Sequence, residues 1–168
     1  MGRIDDIANR YVAEWAPLNP TGATFFGIGG YDDQFADLSL EGFAAQTELN
    51  RRTLAALAAA EPEGESERVA REAMQERLGL EVARYEAGEL TSEMNVISSP
   101  LHDMRMVFDL MPTDGEEAVG NIAARLNRFA GALDTFRVTL LDAADAGHVS
   151  SRAQILEAAK QCDVWTDP

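Results

Sequence analysis

Two histidines, His102 and His148, are the residues of this 168-residue chain with the most obvious catalytic potential. An imidazole can hold a metal ion or move a proton near neutral pH. Neither histidine lies in a His-Glu-x-x-His motif, and a zinc site needs a third ligand and supporting hydrogen bonds. We therefore predict that His102 is a surface or helix-capping residue. His148 follows Gly147 just past a predicted helix end, where the last carbonyl groups favour a cation.

Acidic side chains cluster in the loop that contains Tyr31, Asp32, Asp33 and Asp37. Clustered carboxylates suggest calcium, but an EF-hand needs oxygen ligands at alternate positions, a central glycine and a closing glutamate. The segment lacks that order, and Phe35 occupies part of it. We predict a structural loop whose two aromatic rings pack on the protein body, with calcium binding as the alternative.

Gly27, Gly29 and Gly30 superficially resemble a phosphate-binding loop. Such a loop joins a strand to a helix N-terminus, whereas these glycines follow a predicted helix and have no lysine nearby. Ser98 and Ser99 lack the Gly-x-Ser-x-Gly context of a hydrolase nucleophile. The sequence therefore predicts neither phosphate binding nor a serine nucleophile.

Cys162 is the only cysteine, which excludes an internal disulfide and an all-cysteine zinc site. Lys160 and Asp163 lie beside it, and we predict a buried, inert thiol. No catalytic, cofactor-binding or metal-binding residue is predicted in this chain. Two pairs of glutamates have no evident pocket and are predicted to lie on solvated faces: Glu72 with Glu76, and Glu116 with Glu117.

The net charge of -15 argues against binding to nucleic acid and to anionic membrane surfaces, because both need lysine or arginine patches. Hydrophobic residues make up 46% of the chain, as in globular proteins. No apolar run approaches the roughly 20 residues of a transmembrane helix. The N-terminus does not have the pattern of a signal peptide. We expect a cytoplasmic protein without a nucleic-acid or membrane partner.

Apolar residues recur at helical spacing through most of the chain, and no segment alternates as a strand does. We predict an all-α fold: a multi-helix, mostly antiparallel, bundle-like array that forms a single helical domain over residues 1–168. Predicted helix starts are Asn19-Pro20, Ser39, Ser66, Ser99-Pro100, Asp114, and Ser150 or Ser151. Predicted helix ends are Pro17, Gly27, Ala60, Gly88, Pro112 and Gly147.

Two predicted helices differ in how their apolar residues are arranged. The helix over residues 66–87 carries them on several faces, which predicts a central position. The longest helix, which starts near residue 114, carries them at alternating spacings of four and three, which predicts lengthwise packing against other helices. This predicted seam consists of Ile122, Leu126, Phe129, Leu133, Phe136 and Leu140.

An ordered series of short motifs resembles the N-terminal part of the bacterial DUF885 proteins. Each motif alone is weak, but their order follows the family through essentially the whole chain. At position 99 this chain has Ser where the family often has Asn. The motifs are residues 19–24 (Asn-Pro-Thr-Gly-Ala-Thr), 27–32 (Gly-Ile-Gly-Gly-Tyr-Asp), Leu38-Ser39, Ser99-Pro100-Leu101, Leu110-Met111-Pro112, Arg125-Leu126, and the turn from Gly147 to Gln154.

The resemblance implies a function that these residues do not show by themselves. DUF885 proteins resemble zinc metallopeptidases of the gluzincin-like clan, with a His-Glu helix motif in their C-terminal part. By that resemblance this chain is the N-terminal helical region of a metallopeptidase-like hydrolase, lacks the metal-binding motif and is inactive alone. Zinc is expected in the missing C-terminal part. The expected partners are that catalytic region or a second copy in a homodimer, and a peptide substrate.

The chain end at residues 165–168, just beyond the last predicted helix, also suits a fragment. By analogy with related peptidases, the helices would wall or cover a substrate cleft. The alternative is a stand-alone helical protein-interaction module. An exposed apolar patch centred on the seam over residues 129–140 would favour the fragment, whereas a closed core with polar faces would favour the module.

Overall fold

The structure is a computed structural model that describes residues 3–166; the last two residues of the predicted 165–168 end lie outside it. The described part contains eight helices and no strand, which confirms the all-α prediction. None of these helices has the length and apolar character that a membrane span requires. The helices are α1 (Arg3–Leu18), α2 (Pro20–Phe25), α3 (Leu40–Ala59), α4 (Glu65–Glu86), α5 (Glu89–Ser92), α6 (Pro100–Leu110), α7 (Glu116–Asp145) and α8 (Arg152–Thr166).

Several predicted helix boundaries are confirmed by the capping contacts that produce them. Asn19 Oδ1 accepts a hydrogen bond from the backbone N–H of Gly22 (2.8 Å) at the start of α2. Ser39 Oγ accepts from the N–H of Gly42 (3.1 Å) at the start of α3. Each side chain satisfies a donor that the first helical turn leaves without a partner. Gly88 ends α4 with a φ of 74°, a left-handed conformation that glycine adopts without steric cost.

Three predicted boundaries were wrong by one or two residues. Pro17 lies inside α1, because a proline in the last turn removes few hydrogen bonds and the N–H of Asn19 still reaches the Trp15 carbonyl. Ser66 and Asp114 are not caps. α4 and α7 instead begin directly after Gly64 and Gly115, which have φ values of 97° and 93°. At both starts, a turn with positive φ takes the place of a side-chain cap, and glycine adopts this conformation without steric cost.

The core of the N-terminal half lies between α1, α3 and α4. A buried carboxylate closes this end of the core: Glu67 Oε1 accepts from the N–H of Ile4 (3.1 Å), and its Oε2 accepts from the N–H of Glu63 (2.6 Å). These hydrogen bonds, the one from Glu63 first, lower the pKa of Glu67 although burial opposes the shift. The buried apolar residues of this cluster are Ile4, Ile7, Leu57, Ala60 and Leu78.

The predicted central position of α4 was wrong. Of its apolar residues only Leu78 is buried, whereas Val69 and Leu80 are exposed. The helix packs along α3 and also meets α1 and α5, and it keeps an outer face in solvent. Arg68 lies on that outer face and pairs with Glu72 (2.8 Å). Apolar residues on several faces therefore do not place α4 at the centre of this fold.

The row of α7 that packs on the protein is not the predicted seam. Between residues 125 and 140 the two rows share every second member, and each of the other observed members lies one residue before its predicted counterpart. The predicted seam and the observed row share Phe129 and Phe136, but Leu126 is 55% exposed. The observed row keeps the spacing of four and three and includes polar residues, which a search for apolar periodicity omits. Its members are Arg125, Phe129, Ala132, Phe136, Thr139 and Ala143, of which Phe129 and Ala132 are half-buried.

The two rows of α7 make a direct prediction about stability. We expect Phe136→Ala to lower the free energy of unfolding by about 3–5 kcal/mol, because it leaves a cavity at a buried site. Leu126→Ala, on the exposed row, should change it by less than about 0.5 kcal/mol. Urea unfolding of both variants measures the difference. Equal costs at the two positions would contradict the observed orientation of α7.

Candidate functional site

The loop over residues 26–39 joins α2 to α3 without a helix or strand of its own, so its carbonyl groups need partners from elsewhere. Arg125 of α7 supplies several of them. Its Nε donates to the carbonyl oxygen of Gln34 (2.9 Å), and its Nη2 donates to the carbonyl oxygen of Tyr31 (2.9 Å). Nη2 also donates to Thr24 Oγ1 (3.0 Å) in α2. The Arg125 side chain is fully buried and ties the loop to two helices.

A second contact from α7 and a group of aromatic rings hold the same loop. Thr139 Oγ1 donates to the carbonyl oxygen of Leu38 (2.7 Å). The Phe35 ring meets the rings of Phe108 and Phe129 edge to face, with centroids 6.1 and 5.7 Å away. The predicted packing of Phe35 on the protein body is confirmed. Together with Arg125, these contacts fix the loop along most of its length.

The carboxylates of the acidic loop each have a partner within the protein. Asp32 Oδ1 accepts from a threonine hydroxyl of α2 (2.6 Å), and Asp37 Oδ1 accepts from the N–H of Ser39 (2.9 Å). Asp33 Oδ2 lies 3.2 Å from Arg128 Nη1. Within residues 3–166, no group of three or more His, Cys, Asp or Glu side chains could hold a metal ion. The arrangement is that of a loop held by hydrogen bonds and one ion pair.

The fixed loop forms one wall of the main cleft, which has a volume of about 260 Å³. α2, α3 and α4 supply further walls, and the segment from α5 to α6 completes the lining. Charged, polar and apolar side chains all reach it. The lining residues are Asn19, Thr21, Gly22, Phe25, Ala36, Asp37, Leu38, Phe43, Gln46, Thr47, Asn50, Glu81, Arg84, Leu90, Glu93, Pro100, Asp103 and Met104.

Arg84 is the one basic residue of this lining and is surrounded by carboxylates. Its Nη1 lies 3.2 Å from Glu81, and its Nη2 lies 3.2 Å from Glu93. Its Nε lies 3.3 Å from Glu89. Burial is the largest single influence on the pKa of Arg84 and lowers it, but Glu81, Glu93 and Glu89 together raise it by more, so the net shift is upward. The guanidinium therefore stays charged and is already engaged on three sides.

Asp103 faces the same cleft from the first turn of α6. Burial raises the pKa of this carboxyl group, the nearby Glu93 raises it further, and His102 opposes the shift. Two carboxyl groups that repel each other in a partly buried cleft favour the uptake of positive charge, either as a proton or on a ligand.

Asn50 of α3 also lines the cleft. Its Oδ1 accepts from the Tyr11 hydroxyl (3.1 Å). Burial and the charge of Glu81 raise the pKa of Tyr11 to about 12, so the hydroxyl remains a donor at neutral pH. Tyr11 thereby fixes the orientation of the Asn50 amide.

The family described as "Bacterial protein of unknown function (DUF885)" matches residues 20–168. The chain belongs to the DUF885 family. The predicted resemblance is confirmed at this level, and the match begins at Pro20, the first residue of α2. No curated protein matches the sequence.

The two histidines of this DUF885 chain occupy separate places. His102 Nδ1 lies 2.9 Å from Ser99 Oγ, and its Nε2 lies 2.9 Å from Gln161 Oε1. The ring also meets Trp165 edge to face at 5.5 Å. His148 is exposed beyond the end of α7. Because both ring nitrogens of His102 already have partners, this site joins α6 to α8 and does not fit zinc.

Two other predicted candidates of the DUF885 chain also lie apart from the cleft. Cys162 is half-buried in α8, and burial, followed by the charge of Asp163, raises the pKa of its thiol. A raised pKa keeps the thiol protonated at neutral pH. Gly27 and Gly30 have φ values of 69° and 93° and form the turn that follows α2. They shape the start of the loop.

The predicted glutamate pairs have exposed partners or face solvent. Glu72 pairs with Arg68 (2.8 Å), and Glu76 lies 3.6 Å from Arg77. Glu116 and Glu117, in the first turn of α7, are also exposed. None of them lines the cleft of the DUF885 chain.

The residues that build the site were not found from the sequence. Arg125 occurs in a family motif, but no local pattern gives it a partner about 90 residues earlier. Asp103 follows His102 in the sequence, and no motif distinguishes it from the other carboxylates. Glu81 and Glu93 lie among many other carboxylates of an acidic chain. A buried arginine can be suspected where a charged residue interrupts an apolar row, and that is the one usable signal here.

Loss of the Arg125 hydrogen bonds should destabilise the DUF885 chain strongly. Arg125→Met keeps much of the side-chain volume but removes the donor to the part-buried carbonyl groups of Tyr31 and Gln34 and to the Thr24 hydroxyl. We expect a loss of about 2–4 kcal/mol in the free energy of unfolding, measured in urea. Arg128→Met is the matched control, because Arg128 is exposed and should cost less than about 1 kcal/mol. Similar costs for both variants would contradict the anchoring role.

The raised pKa of Asp103 predicts a dependence of stability on pH. Because the folded-state pKa exceeds the unfolded value, ionisation of Asp103 costs stability as pH rises above about 4. Asp103→Asn removes this cost, so the variant should gain stability relative to the natural chain between pH 4 and pH 7. Asp109→Asn, at an exposed position of the same helix, is the control. A constant difference across this pH range would refute the prediction.

Proposed function

We propose that this chain is the helical N-terminal region of a metallopeptidase-like hydrolase of the DUF885 family. In this proposal it contributes binding surface to a peptide-binding cleft, lacks the metal-binding motif and is inactive alone. The zinc chemistry belongs to the remaining part of the protein, which packs against this chain. A cytoplasmic location is part of the same proposal.

The observation that carries the proposal is a second apolar row on α7, here called the α7 flank, which is exposed in its N-terminal half and half-buried in its C-terminal half. It consists of Val119, Leu126, Leu133 and Leu140, which recur every seven residues beside the buried row. Val119 and Leu126 are 57% and 55% exposed, and Leu141 next to the flank is also exposed. The apolar arc of α7 is therefore wider than the surface that the fold covers.

An apolar row of this length on a surface helix is typical of a surface that contacts another protein part. The predicted seam from Phe129 to Leu140 is buried or half-buried, so the patch does not lie where the fragment was expected to expose it. The exposed end of the flank, at Val119 and Leu126, is what supports the fragment over the self-sufficient module. The flanks of two copies could also pack on each other in a homodimer. The experiment below distinguishes a second copy from the remainder of the protein.

The assembly can be tested with two polypeptides. The chain and the remainder of its reading frame are expressed together, with an affinity tag on the remainder. Val119→Glu places a charge in the proposed interface and should reduce the recovered chain at least tenfold, which corresponds to about 1.4 kcal/mol. Val138→Glu is the matched control, since Val138 is 49% exposed on the same helix but lies off the flank.

Recovery that is unchanged in Val119→Glu, or reduced equally in both variants, would argue against the proposed interface. Light scattering on the chain alone adds a second arm. A dimer that dissociates in Val119→Glu would assign the flank to a second copy. A reading frame without a further region would contradict the hydrolase proposal outright.

A further inference from the structure

The charge of the main cleft is unbalanced. Asp37, Glu81, Glu93 and Asp103 bring four carboxyl groups to its lining, whereas Arg84 brings the one positive charge. Arg84 is already engaged by three carboxylates, one of which, Glu89, lies outside the lining. The cleft therefore offers unmatched negative charge to whatever enters it, in a partly buried setting where charge interactions are stronger than in bulk water.

A second, independent feature of the cleft is the amide group of Asn50. The residue is only 4% exposed, and its Oδ1 is used by Tyr11, which is not part of this lining. No protein group within residues 3–166 accepts a hydrogen bond from Asn50 Nδ2. An amide donor that lacks a protein acceptor in a cleft wall is suited to a carbonyl oxygen of a ligand.

The excess negative charge and the Asn50 amide together suit the N-terminal end of a peptide. The N-terminal residue of a peptide carries a positively charged ammonium group and, three bonds from its nitrogen, a carbonyl oxygen. The cleft volume of about 260 Å³ is below the ~300–1,000 Å³ typical of drug-sized ligands and suits one or two residues. We propose that this cleft binds the free N-terminal ammonium group of a peptide, with Glu93 and Asp103 as acceptors and Asn50 as donor to the first carbonyl oxygen.

The choice of a peptide as the molecule that carries the ammonium group rests on the proposed function. The inference that the cleft binds an ammonium group rests on the cleft alone. The tests of the two proposals are therefore separable. Assembly through the α7 flank does not depend on what the cleft binds. Ligand preference can be measured on this chain whether or not the remainder of the protein is present.

The experiment is a titration followed by isothermal calorimetry or by NMR shifts. The probe is alanyl-alaninamide, which has a free ammonium group and no carboxylate, and the comparison is the same compound acetylated at its N-terminus. We expect the acetylated compound to bind at least tenfold more weakly. An N-acetylated lysine amide tests whether a side-chain ammonium group is accepted instead.

Variants assign the binding to the cleft. Glu93→Gln and Asp103→Asn should each weaken binding of alanyl-alaninamide about tenfold. Glu76→Gln should leave it within twofold, because Glu76 is exposed on α4 outside the cleft and its loss changes the net charge equally. Unfolding cannot explain a loss in Asp103→Asn, since that variant is expected to be the more stable one at pH 7.

Three results would overturn the inference. The first is equal binding of the free and acetylated compounds, and the second is unchanged binding in both Glu93→Gln and Asp103→Asn. The third is tighter binding of the acetylated lysine amide, which would assign the cleft to a side-chain ammonium group. If any of these occurs while Val119→Glu still disrupts assembly, the hydrolase proposal stands and the ligand assignment fails.

Discussion

The structure depends on how α7 satisfies the backbone of a loop that has no regular structure of its own. A loop that packs on the protein body must place its enclosed carbonyl groups on donors, since each one left without a partner costs free energy. Arg125 and Thr139 of α7 donate to carbonyl oxygens of the loop over residues 26–39. The loop then serves as a rigid wall of the main cleft.

This arrangement explains why α7 carries polar residues where an apolar row is expected. Arg125 is buried because its guanidinium replaces the water that the loop carbonyls would otherwise need. Burial lowers the pKa of Arg125, and the nearby Asp32 and Asp33 oppose that shift and keep the charge favourable. The acidic loop and the buried arginine therefore stabilise each other. The cleft beyond the loop keeps its own negative charge because Arg84 is its single basic residue.

Local sequence signals predicted much of the fold, whereas contacts between residues far apart in the sequence could not be predicted. The caps at Asn19 and Ser39 could be read because each acts within three residues. The starts at Gly64 and Gly115 could not, because Ser66 and Asp114, within two residues of these glycines, give the stronger local signal. The partners of Arg125 lie about 90 to 100 residues away, and apolar periodicity ignores a buried arginine. The cleft combines residues from 19 to 104 and has no contiguous motif.

Amide hydrogen exchange in the natural chain and in Arg125→Met tests the central claim most directly. If Arg125 fixes the loop, exchange at amides 31–38 should accelerate at least tenfold more than exchange in α1 and α3, under conditions where both proteins remain folded. Exchange that accelerates uniformly, or that leaves the loop as protected as before, would contradict the account.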